Sequence, residues 1–118
     1  MDQLQVNELK ESYYEYIAKI PQGLQTIVGF LVNDKLEKAF NGIINLAEGL
    51  EFLLKVEQVL AESGFCSNSR IEEAMEIFKE INSSFENQDY ILLKDLIEYE
   101  LIPLFGSASE WGFRDEVK

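Results

Sequence analysis

The chain has 118 residues, of which 22 are carboxylates and 10 are basic, with one cysteine, no histidine and a net charge of -12 at pH 7. Without imidazole and with a single thiol, most hydrolytic, redox and transition-metal chemistries lack their usual groups, which leaves paired carboxylates for acid/base work or a hard cation. The acidic balance also argues against nucleic acid and anionic membranes as direct partners, because both are held by Lys and Arg that displace counterions.

A hydrophobic content of 47%, with 12% aromatic residues, supplies enough apolar area to offset chain entropy, so one folded domain spanning residues 1–118 is expected. Cys66 has no partner within the chain. A reducing, cytoplasmic setting is the simplest expectation, and neither a signal peptide nor an apolar run of the roughly 20 residues of a membrane span stands out.

Leu9, Tyr13, Tyr16, Ile20, Leu24, Ile27 and Leu31 step by threes and fours through Pro21. This phase predicts one amphipathic first helix kinked at the proline, or two helices nearly in line. Asn33-Asp34 reads as the turn, with Asp34 and Glu37 as a capping box for a second helix over about Lys35–Ser63. In that helix Leu36, Phe40, Ile43, Ala47, Leu50 and Leu54 form a seam, flanked by Ala39, Leu46, Leu53 and Leu60. Gly42 and Gly49 share a third line and predict that another helix crosses closely there.

Residues 63–69 read as a loop, with Ser69 and Glu72 as a second capping box. A third helix follows, with Ile71, Ala74, Met75, Phe78, Ile81 and Phe85 on one face. After the turn at Asn87-Gln88-Asp89, a fourth helix from Tyr90 to about Phe105 places Leu92, Leu93, Leu96, Ile97, Leu101 and Leu104 inward, and Pro103 bends or ends it. The two hairpins echo each other in placing an acidic cap before their second helix. The expected architecture is all-α, an antiparallel four-helix bundle with a kinked first helix. A tetratricopeptide-like stack would use the same local physics but lacks that repeat's signature here.

At 100° per residue, Glu100 falls within the arc of Leu93, Leu96, Ile97 and Leu104, so a buried or half-buried carboxylate is expected, paired with a hydroxyl, water or Lys19. With its neighbour Tyr99, Glu100 is the ligand-binding candidate. An oxygen-only metal site would draw Glu48, Glu51 and Glu98 to it, although carboxylate abundance makes such quartets easy to assemble. Phe52, Val56 and Val59 form an i, i+4, i+7 line opposite the main seam of the second helix, so they are either enclosed or form a face for a partner. Tyr13, Tyr14 and Tyr16 cannot all point inward, which makes Tyr14 a surface candidate. Residues 106–118 read as a mobile tether whose Trp111 either docks as an aromatic plug on the bundle or anchors a partner. Cys66 has no neighbouring base in sequence and reads as an inert thiol.

The segment Asp89-Tyr90-Ile91-Leu92-Leu93-Lys94-Asp95-Leu96-Ile97-Glu98-Tyr99-Glu100-Leu101-Ile102-Pro103-Leu104-Phe105 resembles the C-terminal stretch of an uncharacterised family of small acidic helical proteins from Gram-positive bacteria. The Asn33-Asp34 turn and the long second helix fit the same outline, and the chain departs from it at Gly106–Ser109. In layout and charge the chain is also similar to the flagellin export chaperone, a small acidic helical bundle. These likenesses imply a helical fold and no assigned activity.

The expected function is a non-catalytic protein-protein interaction module, an adaptor or chaperone that needs no cofactor. Its partner would carry a basic or amphipathic helical segment or be a second copy of the chain. The alternative is a small-molecule or oxygen-ligated metal-binding bundle with its site at Glu100.

Overall fold

The computed structural model describes residues 2–115. A capping box opens the first helix: the Asp2 carboxylate accepts from the Gln5 N–H at 2.8 Å, and the Gln5 side chain accepts from the Asp2 N–H at 3.1 Å. Helix α1, Gln3–Val32, then runs unbroken through Pro21. Its apolar stripe buries Val6, Tyr13, Ile17, Ile20, Leu24, Ile27 and Leu31 as the periodicity requires. Proline inside a helix withholds one N–H and crowds the carbonyl four residues back, here that of Ile17. We expect Pro21→Ala to raise stability by about 1–3 kcal/mol, read from urea midpoints. A loss would mean that the packing of α1 requires the proline.

Both helical hairpins turn on the same device. At the end of α1 the Lys35 N–H donates to the Phe30 carbonyl at 2.8 Å and the Asp34 N–H to that of Leu31 at 3.3 Å, with Asp34 left-handed at φ 57°. After the third helix the Asp89 N–H donates to Ser84 O at 2.9 Å and the Gln88 N–H to Phe85 O at 3.1 Å, with Gln88 at φ 57°. These are two Schellman closures that lack the usual glycine. The echo between the hairpins is therefore real, but its register is one residue away from the acidic-cap reading. Asp34 closes α1 and Lys35 takes the N-cap position of α2, without a side-chain bond, so the Asp34–Glu37 box does not form. Asp89 does cap its helix, accepting from the Leu92 N–H at 3.1 Å.

Helix α2, Leu36–Glu62, and α3, Ile71–Glu86, follow. The fourth helix consists of α4, Tyr90–Leu96, a π-helical turn, Ile97–Leu101, and α5, Ile102–Gly106. Helix α1 packs on α2 and on the fourth helix, while α3 lies between α2 and α4. This is the expected four-helix bundle. Among the described residues, no helix is long and apolar enough to cross a membrane.

Three departures from the periodic reading matter for the surface. The stripe Ala39, Leu46, Leu53 and Leu60, read as a flank, is the buried centre of α2, whereas Phe40 on the supposed seam is 43% exposed. Leu92, expected inward, is 45% exposed. The supposed loop and tail pair instead as a two-stranded antiparallel ribbon of β1, Phe65–Ser67, and β2, Phe113–Asp115, with Cys66 opposite Arg114. A ribbon this short leaves no periodic signal to read.

The glycine reading holds. A Cβ at Gly42 would lie 2.7 Å from Ile27, and one at Gly49 would overlap the Tyr16 phenol, so α1 crosses α2 at both positions.

Candidate functional site

Glu100 is exposed and Tyr99 is 67% exposed, so the buried carboxylate read at 100° per residue is not there. The cause is the π turn, in which the Ile102 N–H donates to the Ile97 carbonyl. Five residues share that turn, so Glu98, Tyr99 and Glu100 span its outer arc while Ile97 and Leu101 stay inside. Pro103 immediately follows the donor of this bond, and widening the turn relieves the clash of its ring with the Tyr99 carbonyl. Lys19 is exposed on α1 and Glu98 pairs with Lys94 at 3.1 Å. Among the described residues, no three His, Cys, Asp or Glu side chains are grouped to hold a metal ion, so Glu48, Glu51, Glu98 and Glu100 do not converge.

The stripe on α2 divides. Val56 is 3% exposed and belongs to the core, Val59 is half-buried, and Phe52 is 39% exposed with its ring 5.8 Å from that of Tyr16. The three do not form one binding face. Helix α2 packs against β1 as well as against α1 and α3.

Trp111 is buried against Phe105, with ring centroids 5.5 Å apart. Asn68 fastens this segment: its side chain donates to the Glu110 carbonyl at 3.2 Å and accepts from the Gly112 N–H at 2.7 Å. Tyr14 is 41% exposed, and its hydroxyl accepts from the Phe113 N–H at 3.3 Å. Residues 106–115 are thus docked as a plug rather than held as a tether, and residues 116–118 of the tail lie outside the described residues.

Periodicity also passed over a polar cluster. The Tyr13 hydroxyl, on a fully buried ring of α1, donates to the Glu57 carboxylate of α2, and the Ser69 hydroxyl donates to the same oxygen at 2.5 Å. Ser69 therefore serves Glu57 and not the box with Glu72, and Arg70 stands at the N-cap of α3. Burial first, and then the bond and charge of Glu57, push the Tyr13 phenol well above its ordinary range. A signal was available: Glu57 lies between Leu53 and Leu60 on the stripe that proved central.

An exposed apolar surface beside a groove lies between α2 and α3. Phe40 and Ile44, 43% and 41% exposed, stand one turn apart on α2, and Phe40 stacks on Phe85 of α3 with centroids 4.9 Å apart. With Ala47 and Phe78 they line a cleft of about 250 Å³. Its charged wall is Glu48, Glu51 and Glu86, and among the described residues no basic one lines it.

Fold and surface together define a small acidic helical bundle with an acid-rimmed apolar groove. The chain belongs to the family described as a domain of unknown function, DUF8042, whose model matches residues 8–110 and so takes in all four helices and this groove. No curated protein matches the chain, and no solved structure does.

Proposed function

We propose that the chain is a non-catalytic, cytoplasmic protein-binding module of bacterial origin, an adaptor or chaperone, whose α2–α3 groove receives a basic amphipathic helix. The observation that carries this reading is the pairing of exposed Phe40 and Ile44 with a rim whose charged residues, among those described, are all glutamates. An apolar helix face would cover the two side chains while Lys or Arg on its flanks met Glu48, Glu51 and Glu86. The net charge of -12 would speed the encounter with such a segment. The likeness in layout and charge to the flagellin export chaperone is in keeping with this role.

The test is titration of a synthetic Leu/Lys amphipathic helical peptide, with a Leu/Glu peptide as control. Ile44→Ser removes part of the groove floor without changing charge and, as a surface substitution, should leave thermal stability nearly unchanged. The Leu/Lys peptide should bind the parent protein, and Ile44→Ser should weaken it about tenfold, as loss of an interface anchor does. Equal binding by Ile44→Ser would mean that only bulk charge attracts the peptide and would overturn the proposal, as would binding of the Leu/Glu control.

A further inference from the structure

A second cavity lies on another face, between α1 and α2, and its charge is the inverse of the chain's. It encloses about 480 Å³, within the range of about 300–1,000 Å³ common to small-molecule pockets. Ile20, Leu24 and Ile27 of α1 and Leu46 of α2 form an apolar floor, and Asn41 and Asn45 offer amides at the edge. Among the described residues, the only charged ones lining it are Lys19 and Lys38, and no described carboxylate does so in a chain with 22 of them. Neither lysine is in an ion pair among the described residues; Lys38 lies 5.9 Å over the Phe30 ring and Lys19 is exposed. The hollow exists partly because Gly23 carries no side chain, and a Cβ there would meet nothing within 4 Å.

From this juxtaposition we infer that the α1–α2 cavity binds a small amphipathic anion, a single-chain carboxylate whose apolar body lies on the floor and whose head meets Lys19 or Lys38. The apolar lining supplies affinity and the two ammonium groups select the sign of the head. The field of a protein with charge -12 opposes any anion at long range, but at physiological salt it is screened beyond about 8 Å while contact with a lysine is screened much less. The site is separate from the α2–α3 groove, and neither proposal depends on the other.

The probes are dodecanoate, dodecanol and dodecyltrimethylammonium, each kept below its micellar concentration and titrated by calorimetry at physiological salt. Dodecanoate should bind at one site, about tenfold or more tighter than dodecanol, with the cationic probe weaker still. Gly23→Leu fills the cavity from a position with open space and replaces a helical glycine, so the variant should fold at least as well as the parent and lose dodecanoate binding. The double variant Lys19→Gln/Lys38→Gln should bring dodecanoate down to the level of dodecanol. Equal affinity for all three probes would overturn the inference, as would binding that survives Gly23→Leu.

Discussion

Val56→Asp should lower the stability of the bundle by about 3–5 kcal/mol at pH 7. Val56 is 3% exposed within the apolar core, and the substitution removes packed methyl groups and places a carboxylate among buried apolar side chains. The introduced group escapes most of the cost by taking up a proton, so its pKa in the folded chain is raised above the unfolded value of about 3.9. The folded state then binds more protons than the unfolded one between those two values. The deficit is full above the raised pKa and shrinks as pH falls toward 4. Urea unfolding at pH 7 and pH 4.5 reads both effects. A variant as stable as its parent would mean that this face of α2 is open to solvent. The same substitution at Phe52, which is already 39% exposed, should cost far less.

Tyr13→Ala should cost about 3–5 kcal/mol, because the ring is fully buried and leaves a cavity beside Phe113, whose ring centroid lies 4.9 Å away. Tyr13→Phe isolates the hydroxyl. It keeps the ring and removes one bond to a carboxylate, for an expected loss of about 1–3 kcal/mol. Glu57 keeps its bond from Ser69 and is half-buried, so the remaining charge is not stranded. The difference between the two variants thus separates the packing of the ring from its bond to α2.

The Tyr13 hydroxyl also sets an alkaline limit on stability. Its pKa is raised in the fold, mainly by burial and then by Glu57, so above the ordinary phenol value of about 10 the folded chain holds a proton that the unfolded chain has lost. The contribution is complete below about pH 10 and falls as pH climbs beyond it. Tyr13→Phe should flatten that fall relative to the parent, measured as urea midpoints between pH 8 and pH 11. Parallel curves for the two proteins would show that other groups govern alkaline unfolding.

The cluster of Tyr13, Glu57 and Ser69 shows where a one-dimensional reading runs out. Each residue belongs to a different segment, and what unites them is that the chain after α2 folds back to bring Ser69 beside α1. Glu57 satisfied the same criterion that singled out Glu100, a carboxylate inside an apolar arc. The criterion was not applied to Glu57 on α2, where the helix is regular and it would have held, and it failed on the fourth helix, where the π turn before Pro103 rotated Glu100 outward. Trp111 was legible as an aromatic plug or an anchor, but only its contact with Phe105 and the Asn68 bonds to Glu110 and Gly112 chose between them.

The α1–α2 cavity was not legible in outline, although two of its determinants were. Gly42 was read as a close approach, and it brings Ile27 against α2. Lys19 was read as a partner for a buried acid, yet it lines the cavity with Lys38 from the other helix. The phase of α1 places Lys19 near the edge of its stripe but carries no information about which residues of α2 will face it.

The sequence by itself determined the four helices, the α1 stripe and the close crossing at Gly42 and Gly49, because these follow from a period of 3.6 residues and from side-chain size at one position. It also determined the excess of negative charge, which no folding alters. The tertiary structure alone decided which apolar side chains remain exposed, since Phe40, Phe52 and Val56 lie on the same helix and differ only in what covers them. It decided as well which charges share a surface: glutamates gather along α2–α3 and lysines along α1–α2. The physical reason is that burial and electrostatic potential are properties of neighbours in space, and helical periodicity specifies the direction of a side chain without specifying what it meets.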